Sequence, residues 1–160
     1  MKKVYFVRHG QSINNAQKIY TGTIDAPLTE LGREQARATA EKLKDKNITT
    51  IISSDLIRAY DTALEIKNII DPDNNIQLEK DSTLKEVFFG DIEGKSYLKN
   101  TKGMVYAIES GTGESTDSLY NRASEVLNLL KKNQTEGNLL VVGHGSFTSV
   151  IFAVYEGKTQ

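Results

Sequence analysis

The 160-residue sequence predicts an α/β fold, a three-layer sandwich with a mostly parallel central sheet and helices on both faces. Short apolar runs ending in polar turns alternate with stretches of helical periodicity along the whole chain. The only two histidines share one context: His9 in "KKVYFVRHGQS" and His144 in "NLLVVGHGS" each follow an apolar run and precede a glycine. In an open parallel sheet that context places both just beyond strand ends, where such sheets bind ligands.

The elements follow in order. Val4 to Val7 reads as a strand buried on both faces. After a loop through Tyr20 to Pro27, "LTELGREQARATAEKLKD" offers Thr29 as a cap and sets Ala36, Ala40 and Leu43 on one helical face. "ITTIISS" is a second strand. In "DLIRAYDTALEIKNII", Leu56, Ala59, Ala63, Ile66 and Ile70 recur at helical spacing behind Ser54 as cap, and Asp71-Pro72 closes the helix. Residues 90–113 hold five of the 12 glycines with little periodicity, which predicts a long, partly mobile lid or insertion over the sheet. Leu119, Ala123, Val126, Leu127 and Leu130 mark an amphipathic helix, "NLLVV" a third strand and "SFTSVIFAVY" a last helix. No repeat or linker interrupts the pattern, so residues 1–160 are expected to form a single domain.

Composition narrows the function. A net charge of -1 gives no basic field for a polyanion, so nucleic acid is not an expected partner and any anionic ligand must meet a local cluster. With no cysteine there is no disulfide framework, thiolate zinc site or cysteine nucleophile. Two lysines and the four apolar residues "VYFV" before Arg8 are too short for a signal peptide or a membrane span, so the expectation is a cytoplasmic protein with no membrane partner.

A local cluster exists at the strand ends. Arg8 adjoins His9, and Ser54 and Asp55 end the second strand, which brings Arg58 in the next helix to the same edge. Gly10 and Gly145 allow close backbone approach and can expose amides to a ligand. Singly, a His-Gly pair is an ordinary turn and a helical arginine an ordinary surface charge; together they make an anion site. Zinc held by the two histidines with Glu86 or Asp55 is the rival. Arg8 and Arg58 would repel a divalent ion there, so no metal is expected.

The segments "RHGQSINN", "YTGTIDAPLTELGREQA", "SSDLIRAYDTA", "LKEVFFGDIEG", "GES" and "VVGHGS" resemble, in this order, the histidine phosphatase superfamily, also called the phosphoglycerate mutase-like family. The resemblance spans nearly the whole chain. It implies a phosphoglycerate mutase-like fold and a phosphohistidine mechanism, with Arg8, His9, Arg58 and His144 as the phosphate pocket. It further implies Glu86 as proton donor, phosphate contacts from Asn15, Thr21 and Gly22, and no metal or organic cofactor.

Physical chemistry gives the set its logic. A phosphoryl group in transfer spreads negative charge over three oxygens, which preorganised cations stabilise. Arg8 and Arg58 supply forked donors, and a protonated His144 would add another. His9 offers one neutral ring nitrogen while the other donates to a backbone carbonyl. The leaving oxygen needs a proton, and Glu86 is the candidate that the resemblance favours over a plain surface carboxylate, with Val87, Phe88 and Phe89 expected to desolvate it in favour of its acid form.

The sequence also departs from the family pattern. Ile92 stands where many members carry tryptophan before "EG". The 58 positions from Glu86 to His144 hold Lys95, Lys99, Lys102 and Arg122 but no Arg-Arg pair for a second phosphate, which favours hydrolysis over isomerisation. Tyr97, Lys99, Lys102 and Tyr106 either contact the substrate or form a solvated lid. Glu114 of "GES" either orients an arginine or sits near a helix N-terminus. Family members usually continue through a further strand-containing segment after the last helix, so three expectations stand: a bare sheet edge open to self-association, a partner covering that edge, or a sequence shortened at its end. The expected function is hydrolysis of small phosphomonoesters through phospho-His9, with a mutase or an idle phosphate-binding module as alternatives.

Overall fold

The computed structural model describes residues 2–97, 102–133 and 136–158. Four strands, β1 (Val4–Arg8), β2 (Ile48–Ser54), β3 (Gln77–Asp81) and β4 (Asn138–Gly143), form one parallel sheet in the order β1-β4-β2-β3. β4 is the axis of the core because its side chains alternate: Leu140 and Val142 point to one face, Leu139 and Val141 to the other. Helices α2 (Glu30–Leu43) and α3 (Ile57–Ile70) cover the first face with Ala40, Leu43, Ala59, Ala63 and Ile66. Helices α5 (Thr116–Lys132) and α6 (Gly145–Tyr155) cover the second with Leu119, Ala123, Val126, Phe147, Val150 and Ile151. The three layers are those the alternating pattern predicts.

Local rules decide several boundaries. Thr29 caps α2 as expected, its Oγ1 accepting from the Gly32 amide at 3.1 Å. Ser54 does not cap α3. That helix starts two residues later behind Leu56, which makes no side-chain cap bond, and Ser54 instead turns its hydroxyl to His144. α3 does end at Asp71, whose carboxylate accepts from the Asn75 and Ile76 amides and pairs with Lys67. β1 was expected to be buried on both faces; the strand order puts it at an edge among the described residues, with Val4 41% exposed.

Two short elements carried no legible period. α1 (Ile13–Ala16) is a single turn closed by a capping box between Ser12 and Asn15, and β3 reads "QLEKD", too polar to announce a strand. Within residues 90–113, expected to lack regular structure, a helix α4 (Gly103–Ser110) forms and stops at Gly111 in the left-handed region, φ 68°. The segment before it is tied down: Tyr20 N donates to Lys95 O, Gly94 N to Tyr20 O and Tyr97 N to Lys18 O. Lys99 lies outside the described residues. No helix among the described residues is long and apolar enough to cross a membrane.

Candidate active site

The sheet order sets the site. β1 and β4 are neighbours with Arg8 level with Gly143, so both chains leave the sheet at the same height and the His9 amide donates to Gly143 O at 3.0 Å. The His9 and His144 rings come to 5.1 Å between centroids although 135 positions separate them in sequence. β2 flanks β4 on the other side, and the first turn of α3 delivers Arg58.

His9 is held as one tautomer. Its Nδ1 lies 2.6 Å from Gly10 O, a carbonyl that can only accept, so Nδ1 carries the proton. Its Nε2 takes a hydrogen bond from Arg58 Nε at 3.2 Å, and a guanidinium can only donate, so Nε2 presents its lone pair. Burial first, then the Arg58 guanidinium, with a smaller push from Arg8, lower the His9 pKa to about 3 against the opposing Gly10 bond. The imidazole is therefore neutral at ordinary pH. The Gly10 amide donates to Thr62 Oγ1, whose hydroxyl donates to Arg58 O, so α3 fixes the turn after His9 as well.

Arg58 is 1% exposed and pinned on three sides. Besides His9 it donates from Nη1 to Ile24 O at 2.9 Å and from Nη2 to Gly22 O at 2.7 Å. Burial lowers its pKa, opposed by Glu86, Asp25 and Glu93. Gly22 adopts φ 49°, and a Cβ there would collide with the Glu93 carboxylate. Glu93 in turn accepts from the Thr23 amide and hydroxyl and from Phe89 N. The "EG" carboxylate thus clamps the loop that positions Arg58.

The remaining predicted residues divide. Arg8, Asn15, Thr21, Gly22 and Glu86 line, with His9 and Arg58, one cavity of about 180 Å³ that Tyr20, Phe89 and Tyr97 also line. Asn15 spends its Oδ1 on the Ser12 amide, leaving its NH2 group for a ligand. Arg8 is exposed beside Gly145, where an added Cβ would approach Arg8 Nε to 3.3 Å. Gly145 lines an adjoining cavity with Lys102 and Met104. Tyr106 packs on the core and bonds Asp91, which removes it from the substrate-contact candidates.

His144 differs from expectation. It is 1% exposed behind His9, with Nε2 2.9 Å from Ser54 Oγ and a buried Nδ1 that has no partner. Burial, then the charges of Arg58, His9, Arg8 and Arg122, push its pKa well below 6.5 and favour the neutral imidazole.

Glu86 is buried, but not by the whole aromatic run after it, since Phe88 is 42% exposed. Its carboxyl sits against the N-terminus of α6: Oε1 accepts from Phe147 N at 2.9 Å and Val87 N at 3.0 Å, Oε2 from Ser146 N at 3.2 Å. Asp55 pairs with Lys85 at 3.3 Å. Among the described residues no cluster of three or more His, Asp or Glu side chains is placed to hold a metal ion. Glu114 resolves towards the arginine: its two oxygens grip Arg122 at 2.9 and 2.6 Å, while it also accepts from Ser118 at the start of α5. Ser54 and Thr62 stand inside the motifs read from the sequence, yet no role was assigned to them as positioning groups; the structure supplies one for each.

Comparison with known proteins decides the family. Residues 4–160 match the model of the histidine phosphatase superfamily (branch 1). The chain belongs to that superfamily. It is 35% identical to a Hydrogenobacter thermophilus protein named "Putative phosphoserine phosphatase 2", over 98% of this chain and 80% of that one. It is 32% identical to phosphoglycerate mutase-like protein 4 of Arabidopsis thaliana, over 96% of this chain and 70% of that one. A mycobacterial glucosyl-3-phosphoglycerate phosphatase, solved with VO3, superposes with a TM-score of 0.81 at 27% identity, over 96% of this chain and 81% of that one. The fold is therefore phosphoglycerate mutase-like, and membership of this superfamily supports a phosphatase or mutase activity.

Proposed function

We propose that this chain hydrolyses small phosphomonoesters through a phosphohistidine formed at His9 Nε2. The observation that carries the reading is the tautomer lock: Nδ1 donating to Gly10 O leaves Nε2 as the lone-pair nitrogen, beside a buried arginine that would bind the phosphoryl oxygens. Arg58 changes partner when substrate arrives, from Nε2 to an equatorial oxygen, so no charge has to be brought in for the reaction.

In the first half-reaction Nε2 attacks phosphorus while the ester P–O bond breaks. The leaving oxygen takes the proton of Glu86 in its acid form, and the product departs as an alcohol. Arg8, Arg58 and the Asn15 amide balance the charge on the three transferred oxygens. In the second, water attacks phosphorus, the P–N bond breaks, the Glu86 carboxylate accepts the water proton, and inorganic phosphate leaves. Neutral His144 behind His9 can take up a proton once a phosphate dianion lies near, becoming the charged donor only with ligand in place.

Hydrolysis is favoured over phosphoryl return by the cation count around the cavities. Beyond Arg8 and Arg58, Lys102 is the cation that lines them among the described residues, and Arg122 is committed to Glu114. Among the described residues a second phosphate would find one lysine there. The relatives named as mutases keep the mutase reading as the alternative.

Release of inorganic phosphate from a panel of alkyl and aryl phosphomonoesters, with chelator present, tests the reading. Chelator-resistant turnover by the wild type that is abolished in His9→Ala is expected. Turnover surviving in His9→Ala would remove His9 as nucleophile, and phosphoryl exchange between two alcohols without release of phosphate would establish the mutase.

A further inference from the structure

Arg122 lies in the middle of α5, lines none of the cavity walls around His9, and is nevertheless one of the most heavily engaged side chains in the protein. Its guanidinium makes four hydrogen bonds: Nη1 to Thr83 O at 2.9 Å and to Lys85 O at 2.7 Å, Nε to Glu114 Oε1 at 2.9 Å and Nη2 to Glu114 Oε2 at 2.6 Å. The same group stacks 3.5 Å from the centre of the Phe147 ring. Two of these partners adjoin Glu86 directly. Lys85 precedes it in the chain, and Phe147 donates the amide that Glu86 Oε1 accepts at 2.9 Å. Glu114 completes the grip by exchanging bonds with residue 88, through its own amide to Phe88 O at 2.9 Å and its Oε2 from Phe88 N at 3.4 Å.

We propose that Arg122, held by Glu114, is the positioning residue for Glu86: it fixes the chain segment that carries the carboxyl and the helix end that orients it as one unit. This rests on the reading of Glu86 as proton donor. A planar fork with five donors can bridge two carbonyls, a carboxylate and an aromatic face at once; an ammonium of equal charge cannot. The pair is nearly buried, with side-chain exposures of 16% and 12%, so its geometry is not loosened by water. Proton donation to an ester oxygen demands placement of the acid at hydrogen-bond range, and a displacement on the order of 1 Å costs about 10²-fold in rate.

The role predicts a signature that lost fold stability does not give. An alkyl phosphate needs its leaving oxygen protonated, whereas p-nitrophenolate departs without help. The quantity to measure is kcat/KM, which covers the steps through departure of the leaving group, for an alkyl phosphate and for p-nitrophenyl phosphate with wild type, Arg122→Lys, Glu114→Gln and Glu86→Gln. Arg122→Lys and Glu114→Gln should lose about 10- to 10²-fold on the alkyl ester and less than about threefold on the aryl ester. Glu86→Gln should show the same bias more strongly. Equal losses on both esters, or no loss, in folded Arg122→Lys and Glu114→Gln while Glu86→Gln keeps its bias would overturn the positioning role alone. Absence of bias in Glu86→Gln would overturn the proton-donor reading and the positioning role with it. Glu114→Gln preserves side-chain size and carries the test if Arg122→Lys fails to fold.

Discussion

His9 and Arg58 share one hydrogen bond, and two measurable consequences follow at the scale of single residues. With its pKa lowered to about 3, the free imidazole of His9 stays neutral well below the usual 6.5. Nitrogen NMR at pH 5 should therefore show a neutral ring protonated at Nδ1, and protonation of His9 should not limit kcat/KM until the pH nears that value. A His9 titration centred near 6.5 would contradict the packing described. Replacing Glu86 with Gln should lower kcat/KM on alkyl phosphates by roughly 10²–10⁴-fold, the usual scale of lost general acid catalysis, while inorganic phosphate still binds. Of these residues the sequence made the gathering of Arg8, His9, Arg58 and His144 legible, because both histidines repeat one strand-end context. Their protonation was not legible: burial behind His9 decides the charge of His144, and depth has no signature in a short motif. The grip on Glu86 was equally hidden, since the amides of Val87, Ser146 and Phe147 that hold it belong to the backbone and are present whatever the side chains.

At the scale of elements, two devices hold the site. The loop from Thr21 to Asp25 is fixed from below by Glu93 and lends its Gly22 and Ile24 carbonyls to Arg58. Gly22→Ala must hold φ near 49° against a cost of about 1–2 kcal/mol and displace Glu93 from its place. Activity should fall in that variant far more than thermal stability, because the loop moves its two anchors off Arg58; unchanged kcat/KM would show that Arg58 needs neither. β4 is the second device, since it sets the spacing of the two histidines and fills both core faces. Leu140→Ala, at a fully buried position, should cost about 2–5 kcal/mol by denaturant unfolding. Strongly periodic helices and apolar strands were readable as elements. β3 was not, because a polar edge strand has neither alternation nor an apolar run, and Ser54 misled because a hydroxyl before a helix is more often a cap than a support for a buried histidine.

Across the whole molecule, parallel strands with helical crossovers bring together residues that no local rule connects, and the cost appears in the pH dependence of stability. Both histidines are held neutral by burial and by neighbouring cations, so their folded pKa values lie below the unfolded 6.5. Above pH 6.5 neither state binds the extra proton and the two groups leave stability unchanged. Below it the unfolded chain takes up protons that the folded one refuses, so stability should fall as pH drops below 6.5, by up to about 1.4 kcal/mol per pH unit for each histidine. Urea unfolding at pH 7 and pH 5 should show this loss, and a His9→Gln variant should show a shallower slope; an equal slope in both would place the proton uptake elsewhere. What the same topology builds for catalysis can be trapped directly. In Glu86→Gln the first step still proceeds with p-nitrophenyl phosphate while water has lost its base, so phosphoryl enzyme should accumulate. Quenching that reaction at alkaline pH and mapping the modified peptide by mass spectrometry should find the phosphoryl group on His9. A phosphoryl group on another residue, or none in either the variant or the wild type, would contradict the account.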